Sequence, residues 1–421
     1  MKTTAVRLYG KEDLRLESFD LPELGEDQIL ARVICDSICM STYKCAMQGV
    51  EHKRVPKDVA ENPTIMGHEF CGEIIKVGKK WQSEYKEGMR FAIQPNINYK
   101  GTMWAPGYSY KTLGGDATCV IIPNEFMECG CILPYNADNY FGASLSEPLS
   151  CVAGTFKAMY HTKNGVYEHF MGIKEKGKMA MLASVGPMGM AAIDYILHTD
   201  RRPSLLVLTD IDQSRLDRAA SIHTVEEAAR QGVELHYVNT GKFDDPVAEL
   251  MKYTGGTGYD DVVCFAPVTP VVEQADAILG ADGCLNFFAG PGRKDFYAKL
   301  NFYNVHYAST HVCGTSGGNT QDMAECLQMM SEGKLTPAAL VTHIGGIDAV
   351  IDTTLNLPKI PGGKKLIYTH IRMPLTAIDD FEEKGKTDPL FAKLHELTQK
   401  TNGLWNSEAE KYLLETLVKE D

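Results

Sequence analysis

Four side chains in the first 150 residues could bind a metal ion together: Cys39, His68, Glu69 and Glu147. Thiolate, imidazole and carboxylate groups all suit Zn²⁺, and a catalytic zinc keeps one position open for water or substrate. Because His68 and Glu69 follow Gly67, we expect them in a tight loop between apolar segments. Each residue alone also fits an ordinary role, since a loop histidine often only forms hydrogen bonds and a single cysteine often packs in a core. Their combination is what predicts a metal site.

A second group of residues could bind a dinucleotide. The turn formed by residues 184–189 follows an apolar run and precedes a helical stretch. Gly186 would let the main chain approach a pyrophosphate, and Gly189 would let the helix pack closely against the strand. Pro187 and Met188 lie between them, so these four residues would surround a helix N-terminus, whose free N–H groups attract anions. Ser184 stands where the dinucleotide-binding fingerprint usually has its first glycine.

An acidic residue completes this second signal. Asp210 ends the next apolar run, about 20 residues further on, where a carboxylate can bind the hydroxyl groups of the adenosine ribose. Such a carboxylate repels a 2′-phosphate, so we expect NAD(H). NADP(H) is not excluded, because Arg215 could lie beside the ribose. The alternative is a Gly-Pro turn in an ordinary α/β domain with an aspartate that caps a helix.

Two kinds of domain would position these residues. Residues 1–150 contain short strand-like runs broken by Gly and Pro, which is typical of a β-rich, barrel-like domain. From residue 177 onward, apolar strands alternate with helical segments, which is typical of a parallel, doubly wound sheet. We therefore predict a β-rich domain that carries the candidate metal ligands and, after it in the chain, a dinucleotide-binding domain with a parallel sheet.

The composition disfavours several classes of function. The chain has 421 residues, which suits two domains better than one core. Its formal net charge of −13 repels phosphate backbones, so nucleic-acid binding is disfavoured, although a local basic pocket can still bind a small anion. No apolar stretch suits a signal peptide or a membrane span, so we expect a cytoplasmic protein with no membrane partner. In that compartment most of the 12 cysteines would be core residues rather than disulfides.

The order of these residues resembles the zinc-containing medium-chain dehydrogenase/reductase superfamily, and its polyol dehydrogenase branch in particular. The resemblance covers about residues 1–371 and lies in an ordered combination: Cys39, then 67–69 with Gly72, then 147–150, then the turn ending at Gly189, then Asp210. It implies an α/β chain with a β-rich GroES-like catalytic domain, formed by residues 1–160 and 331–421 with a C-terminal helical extension, and a Rossmann cofactor domain of residues 161–330. It also implies an alcohol or polyol dehydrogenase that uses zinc and a nicotinamide cofactor.

The resemblance also implies roles for single residues. Cys39, His68 and Glu147 would ligate one catalytic zinc. Glu69 would be a nearby carboxylate able to replace water on the metal. Ser41 matches the hydroxyl residue that passes a proton to or from the alcohol, so these five residues form the expected catalytic set.

Two departures from the family pattern matter. Thr42 stands where relatives often have aspartate, so the surroundings of the proton relay differ in detail. Between residues 90 and 117 the chain lacks the cysteines that bind a structural zinc in many relatives, and Cys129 and Cys131 supply only two thiols. We therefore expect one catalytic zinc and no structural zinc. Relatives pair through an edge strand of the cofactor domain, so the resemblance implies a homodimer or homotetramer.

Longer stretches resemble the sugar-phosphate reductases of this superfamily, almost from end to end. Examples are residues 65–74, 77–82, 285–291, 314–320 and 408–414. This resemblance implies that a small sugar phosphate is the partner molecule, with reduction of L-sorbose 1-phosphate to D-glucitol 6-phosphate. The last stretch lies in a charged, periodic segment that begins near residue 379, which predicts two amphipathic helices packed on the surface as an appendage.

A phosphorylated substrate needs a local cationic site. Lys44 lies five residues after Cys39, near the expected cleft, so we predict that it binds the substrate phosphate. His52, Lys53 and Arg54 are close in sequence, but Lys53 and Arg54 also fit a solvated surface pair.

The sequence also fits other functions. The chain could act on another polyol or polyol phosphate, as a dehydrogenase of the galactitol phosphate or threonine type. It could also be a catalytically inactive nucleotide-binding protein, although the intact set of Cys39, His68, Glu69 and Glu147 speaks against this. Substrate profiles separate the enzymes from one another, and zinc analysis with NADH binding identifies an inactive protein.

Overall fold

Two units, each with its own sheets, make up residues 1–418, which the computed structural model describes. Among the described residues, the first unit contains 1–147, 319–331 and 337–418, and the second contains 148–318 and 332–336. The domain bounds expected from the sequence were 1–160 and 331–421 for one domain and 161–330 for the other.

The strands and helices have the following bounds. The strands are β1 (Lys2–Gly10), β2 (Asp13–Asp20), β3 (Ile29–Ile38), β4 (Thr64–Ile65), β5 (Phe70–Val77), β6 (Arg90–Ile93), β7 (Cys119–Ile122), β8 (Ile132–Pro134), β9 (Tyr160–Lys163), β10 (Val166–Met171), β11 (Lys178–Leu182), β12 (Leu205–Asp210), β13 (Glu234–Asn239), β14 (Tyr259–Cys264), β15 (Leu279–Phe287), β16 (His311–Gly314), β17 (Val341–Gly346), β18 (Lys364–Tyr368) and β19 (Thr376–Ala377). The helices are α1 (Met40–Gln48), α2 (Asn124–Glu128), α3 (Phe141–Ala158), α4 (Pro187–His198), α5 (Gln213–Ile222), α6 (Val225–Arg230), α7 (Pro246–Lys252), α8 (Thr269–Ala277), α9 (Phe302–Tyr307), α10 (Thr320–Ser331), α11 (Val350–Asn356), α12 (Phe381–Gly385), α13 (Pro389–Gln399) and α14 (Ser407–Leu417). Across residues 1–418, no helix combines the length and the apolar character that crossing a membrane requires.

The first unit is β-rich, as the closely spaced strand signals predict. Its larger sheet has eight strands in the order β19-β17-β18-β3-β5-β6-β8, with β7 also paired to β3, and its smaller sheet has the order β2-β1-β4. Phe70, Phe91 and Phe126 are buried together in the core of this unit. Burying an aromatic side chain of this size contributes roughly 1.5–3 kcal/mol to stability.

Antiparallel pairing brings three strand ends to one place in this sheet. β3 runs antiparallel to both β5 and β18, with Asp36 opposite Phe70 and Ile38 opposite Lys365. The last residue of β3 therefore lies beside the first residues of its two neighbours. Side chains just beyond these ends must meet, although they are far apart in sequence.

The second unit contains the predicted parallel sheet. Its six strands have the order β13-β12-β11-β14-β15-β16, and every neighbouring pair is parallel. All six residues of β12 are buried, which is typical of a parallel strand that is covered on both faces. The strand order changes direction between β11 and β14, and ligands of such sheets bind at the carboxyl ends of the strands at this switch point. The fold class predicted from the sequence is confirmed.

The C-terminal segment is more than a surface appendage, so that part of the prediction was wrong. The two amphipathic helices predicted for this segment are α13 and α14, and the short helix α12 precedes them. Trp405 and Glu410 are almost fully buried, and the Trp405 indole N–H donates to the hydroxyl of Tyr368 in β18 (2.8 Å). The segment therefore completes the core of the first unit instead of only covering it.

Glu410 joins this segment to the start of α3. Its carboxylate accepts the backbone N–H groups of Tyr140 (2.6 Å) and Phe141 (2.9 Å) and the hydroxyl of Tyr368 (2.8 Å). The first N–H groups of a helix have no partner within the helix, and a carboxylate there also suits the helix dipole. Burial raises the pKa of Glu410 to about 7, against these hydrogen bonds, which lower it.

We expect Glu410→Ala to lower the free energy of unfolding by roughly 2–4 kcal/mol, because it leaves buried N–H groups without an acceptor. Urea unfolding followed by fluorescence measures the loss. The control is Glu408→Ala on the same helix, since exposed Glu408 forms only a surface ion pair with Lys400 (2.5 Å), and such pairs contribute about 0–1 kcal/mol. Equal losses for the two variants would contradict the capping role of Glu410.

Candidate metal centre and cofactor turn

Cys39 stands at the junction between β3 and α1. It follows the last residue of the strand and keeps extended backbone angles (φ −111°, ψ 152°) where the helix begins. Because β3 is paired on both sides, the position of this thiol is fixed by the centre of the sheet. The thiol is partly buried.

His68 and Glu69 lie in the loop between β4 and β5, and this loop is tight as predicted. Gly67 has a φ of +84°, and a Cβ atom there would lie 2.6 Å from the backbone N of Asp116, so only glycine fits. The backbone N–H of Glu69 donates to Oδ1 of Asp36 in β3 (3.1 Å). This hydrogen bond ties the loop to β3, the strand that directly precedes Cys39.

The structure brings three of the four predicted ligands together. One ligand atom from each of Cys39, His68 and Glu69 lies within 4.8 Å of the other two. Glu147 belongs to α3 and is buried, but its carboxylate stands outside this group in the described chain. It is close enough to act electrostatically, because burial and the charges of Glu69 and Glu147 raise the pKa of Cys39 to about 12.

The chemistry of these donors fits zinc. Burial lowers the pKa of His68 to about 4, so its imidazole is neutral and can donate a lone pair to a metal. The Thr42 hydroxyl lies 3.2 Å from Nδ1 of His68, and the Tyr108 hydroxyl lies 3.3 Å from Nδ1 and 3.5 Å from Nε2, so neutral hydroxyl groups hold the ring in place. A buried thiol of raised pKa becomes a thiolate when a cation binds beside it, which couples metal binding to proton release.

Lys364 is a member of this site that the sequence does not reveal. Its ammonium lies 2.6 and 2.5 Å from the two carboxylate oxygens of Glu69, and the Ser37 hydroxyl donates to the same carboxylate. Burial works to raise the pKa of Glu69, but the charge of Lys364 and these hydrogen bonds outweigh it and lower the pKa. The pKa of Lys364 is raised by Glu69 against its own burial. Both groups are therefore charged.

We expect Lys364→Met to lower the free energy of unfolding of the zinc-loaded protein by about 3–5 kcal/mol, because it leaves the buried charge of Glu69 unpaired. Urea unfolding measures this loss, and the double variant with Glu69→Gln should recover more than half of it.

Lys365 supplies the matched control. Its ammonium is also buried but donates to the backbone carbonyls of Pro361 (2.9 Å) and Gly363 (2.7 Å). Glu69→Gln should therefore rescue nothing in a Lys365→Met background. If Lys364→Met and the double variant lose the same stability, the two side chains are not energetically coupled.

Two further predicted residues lie on α1. Ser41 is partly buried, and its backbone N–H acts on the Cys39 sulfur, where it lowers the thiol pKa against burial. Lys44 is partly buried as well, and its charge lowers the pKa of His52. The proton-relay role of Ser41 and the phosphate-binding role of Lys44 stay predictions.

The predicted dinucleotide turn lies between β11 and α4. Gly186 is the N-cap residue of α4, and Pro187 is the first residue of the helix. Met188 and Gly189 follow in its first turn. A Cβ atom on Gly189 would lie 1.8 Å from the carbonyl oxygen of Ser184, whereas one on Gly186 would meet nothing within 4 Å. Gly189 is therefore required for helix–strand packing, and Gly186 faces open space.

Asp210 ends β12, as predicted. It is almost fully buried, and its Oδ1 accepts the backbone N–H groups of Ile211 (2.8 Å) and Asp212 (3.0 Å). Arg215 is exposed, and its guanidinium lies 3.7 Å from the carboxylate of Asp212. A carboxylate at the carboxyl end of the second strand is where a ribose is bound in such sheets.

The two glycines of the turn allow a matched test of cofactor binding. Gly189→Ala should lower the free energy of unfolding by about 1–3 kcal/mol, because the new methyl group overlaps a backbone carbonyl. Gly186→Ala should leave stability unchanged but weaken NADH binding at least tenfold, because the methyl group fills the space next to the helix N-terminus. Thermal unfolding and calorimetric titration with NADH measure the two effects. Unchanged NADH affinity in Gly186→Ala would show that the pyrophosphate does not bind at this turn.

A second group of metal-binding side chains, His161, Asp282 and His311, lies in the second unit of the described chain. Nε2 of His161 lies 3.1 Å from Asp261, and Nδ1 lies 3.3 Å from the carboxylate of Asp282. Burial works to lower the pKa of His161, but the hydrogen bond to Asp261 and the charges of both aspartates raise it. Both ring nitrogens of His161 thus contact acidic residues of the same unit, and these contacts link β9, β14 and β15.

Family models match both units. The model of the alcohol dehydrogenase GroES-like domain matches residues 25–130, and that of the zinc-binding dehydrogenase matches residues 187–332. The 2R,3R-butanediol dehydrogenase of Bacillus subtilis has a similar fold, with a TM-score of 0.71 and 22% identity over 87% of this chain and 99% of that chain.

Two relatives are similar over almost their full length. A mannitol-1-phosphate 5-dehydrogenase of Aliivibrio fischeri is 50% identical over 98% of this chain and 98% of its own. An L-sorbose 1-phosphate reductase of Klebsiella pneumoniae is 47% identical over 98% of this chain and 97% of its own. Fold and relatives together define an NAD(P)-dependent zinc alcohol or polyol dehydrogenase. The chain belongs to the zinc-containing medium-chain dehydrogenase/reductase superfamily, within its polyol-phosphate dehydrogenases.

Proposed function

We propose that this enzyme reduces L-sorbose 1-phosphate to D-glucitol 6-phosphate with NADH and a proton. The observation that carries the proposal is the grouping of Cys39, His68 and Glu69 at the end of β3. These side chains are donors that zinc prefers. The chain that carries them is 47% identical to an L-sorbose 1-phosphate reductase.

Cys39, His68 and Glu147 would hold the catalytic zinc. Glu69 would stay beside it, because its carboxylate neutralises the buried Lys364 and cannot give its whole charge to the metal. Bound zinc would polarise the ketone oxygen of the substrate and stabilise the developing alkoxide. Movement of Glu69 onto the metal would leave Lys364 unpaired, so the ion pair favours an open position for substrate.

The remaining steps fall to side chains of this chain and to the nicotinamide. Ser41, two residues after Cys39, would pass a proton to the oxygen of the reduced carbon. Asp210 would bind the adenosine ribose, and its carboxylate would repel a 2′-phosphate. We therefore infer a preference for NAD(H) over NADP(H).

D-Mannitol 1-phosphate is the second candidate substrate, because the relative with that name is 50% identical over almost the whole chain. Both candidates would react at carbon 5 of a hexitol. They differ in the phosphate, which is on the neighbouring carbon in D-glucitol 6-phosphate and at the far end in D-mannitol 1-phosphate.

We expect the zinc-loaded enzyme to oxidise NADH with L-sorbose 1-phosphate at least tenfold more efficiently, in kcat/KM, than with D-fructose 6-phosphate or the unphosphorylated ketoses. Absorbance at the NADH band measures the rates, and the same panel with NADPH tests the cofactor preference. His68→Ala is the control: it should abolish turnover and leave NADH binding intact. Higher efficiency with D-fructose 6-phosphate would favour the mannitol phosphate activity instead, and full activity without zinc would refute the metal site.

Three expectations from the sequence accompany this proposal. We infer one zinc per chain and no structural zinc, which metal analysis of the purified protein measures. We infer a homodimer or homotetramer, which sedimentation measures. We infer a cytoplasmic location, which cell fractionation measures.

A further inference from the structure

Arg54 is a cation without an acidic partner in an acidic protein. The chain has 55 acidic and 42 basic residues apart from histidine, yet among residues 1–418 no carboxylate lies within 4.0 Å of the Arg54 guanidinium. The side chain is partly buried rather than fully solvated. Charged groups that leave water are usually paired, so an unpaired and partly buried guanidinium suits an anion that the protein itself does not supply.

The position of Arg54 connects it to the metal centre through one aromatic ring. Its guanidinium carbon lies 5.6 Å from the ring centroid of Tyr108, which is buried. The Tyr108 hydroxyl lies 3.3 Å from Nδ1 of His68. A group that is bound by Arg54 therefore lies one tyrosine ring away from a predicted zinc ligand.

His52 adds a neutral donor to the same place. Its ring is stacked on Tyr108, with centroids 5.3 Å apart and planes at 11°. Nδ1 of His52 accepts the backbone N–H of Arg54 (3.3 Å), so the ring proton is on Nε2, which has no partner among the described residues. Burial lowers the pKa of His52 to about 4, and the charges of Arg54, Lys53 and Lys44 lower it further.

We propose that Arg54, together with Lys44 and the Nε2–H of His52, binds the phosphate group of the sugar phosphate. This inference deepens the proposed function and rests on it, because it names the residues that select a phosphorylated substrate. Guanidinium groups bind phosphate through two parallel N–H···O hydrogen bonds, which fixes the orientation of the anion as well as its position.

From the sequence, Lys53 and Arg54 also fitted a solvated surface pair. In the structure only Lys53 is exposed. Arg54 turns toward Tyr108 instead. Its backbone carbonyl accepts the hydroxyl of Ser109 (2.7 Å), one residue after Tyr108, so the loop that carries Arg54 is fastened to the segment that carries the ring. The backbone of Arg54 is thus held in place, with its guanidinium over the ring of Tyr108.

Arg54→Met tests the phosphate site because it keeps the length of the side chain and removes the charge. We expect kcat/KM for the preferred sugar phosphate to fall about 10- to 100-fold, mainly through KM, and that for the unphosphorylated ketose to change less than about threefold. Arg54→Lys should retain part of the effect. The control is Lys57→Met, which removes an exposed cation from the same loop; Lys57 only donates to the carbonyl of Val50 (2.6 Å), so both substrates should keep their kinetics.

The substrates also report where the phosphate lies. A loss with L-sorbose 1-phosphate places Arg54 near the carbon next to the carbonyl, and a loss confined to D-fructose 6-phosphate places it near the far end of the sugar; either supports the proposal. An equal loss with phosphorylated and unphosphorylated ketose overturns it, because Arg54 would then act on the fold or on catalysis in general.

Inorganic phosphate separates this inference from the proposed function. If the wild-type enzyme reduces no sugar phosphate, the proposed function fails, but calorimetric titration of the zinc-loaded protein with phosphate still tests the site. Binding that Arg54→Met abolishes and Lys57→Met retains supports the phosphate site. Equal binding by wild type and Arg54→Met, or none by either, overturns it.

Discussion

The buried ion pair between Lys364 and Glu69 is the interaction on which the metal centre depends. Neither charge is tolerated alone in the interior, so the two residues must stay together in every folded molecule. They meet because β3 pairs antiparallel with β5 on one side and with β18 on the other, which brings the start of both neighbours to the end of β3. Cys39 is the next residue after that end. The sheet thus sets the position of the thiol and the ion pair before a metal is bound.

Surrounding contacts make this corner of the sheet rigid. Gly67 passes so close to Asp116 that no side chain fits, and the backbone of Glu69 is bound by Asp36. The helix that carries Glu147 is capped at its start by Glu410, which lies 263 residues further along the chain and binds the first N–H groups of that helix. The C-terminal helices therefore contribute to the order of the site without contacting it, and this gives them a reason to be buried.

The sequence predicted those features of the fold and the site that short local patterns encode. The turn of residues 184–189 combines a strand, two glycines and a helix within a few residues, and Asp210 follows at the end of the next strand, so both were predicted where they lie. Lys364, Tyr108 and Glu410 were missed because their partners are distant in sequence. A buried lysine in a short apolar strand looks like any lysine at the edge of a sheet, and a capping carboxylate on an amphipathic helix looks like part of its solvated face. Only the pairing of strands and helices identifies the groups that they meet.

The overall negative charge of the protein and the local charges near the metal centre act on an anionic substrate in opposite directions. A protein with a net charge of −13 would repel a phosphorylated sugar at long range, so the binding energy for the proposed phosphate would have to come from a few cations at short range. A carboxylate in contact with Arg54 would neutralise it and compete with the substrate. Next to the metal ligands, the Thr42 hydroxyl contacts His68 without adding a charge, and Lys364 neutralises Glu69. A phosphate bound by Arg54 and a metal bound by His68 would be separated by the ring of Tyr108, and the carboxylate of Glu69 beside the metal would already be paired.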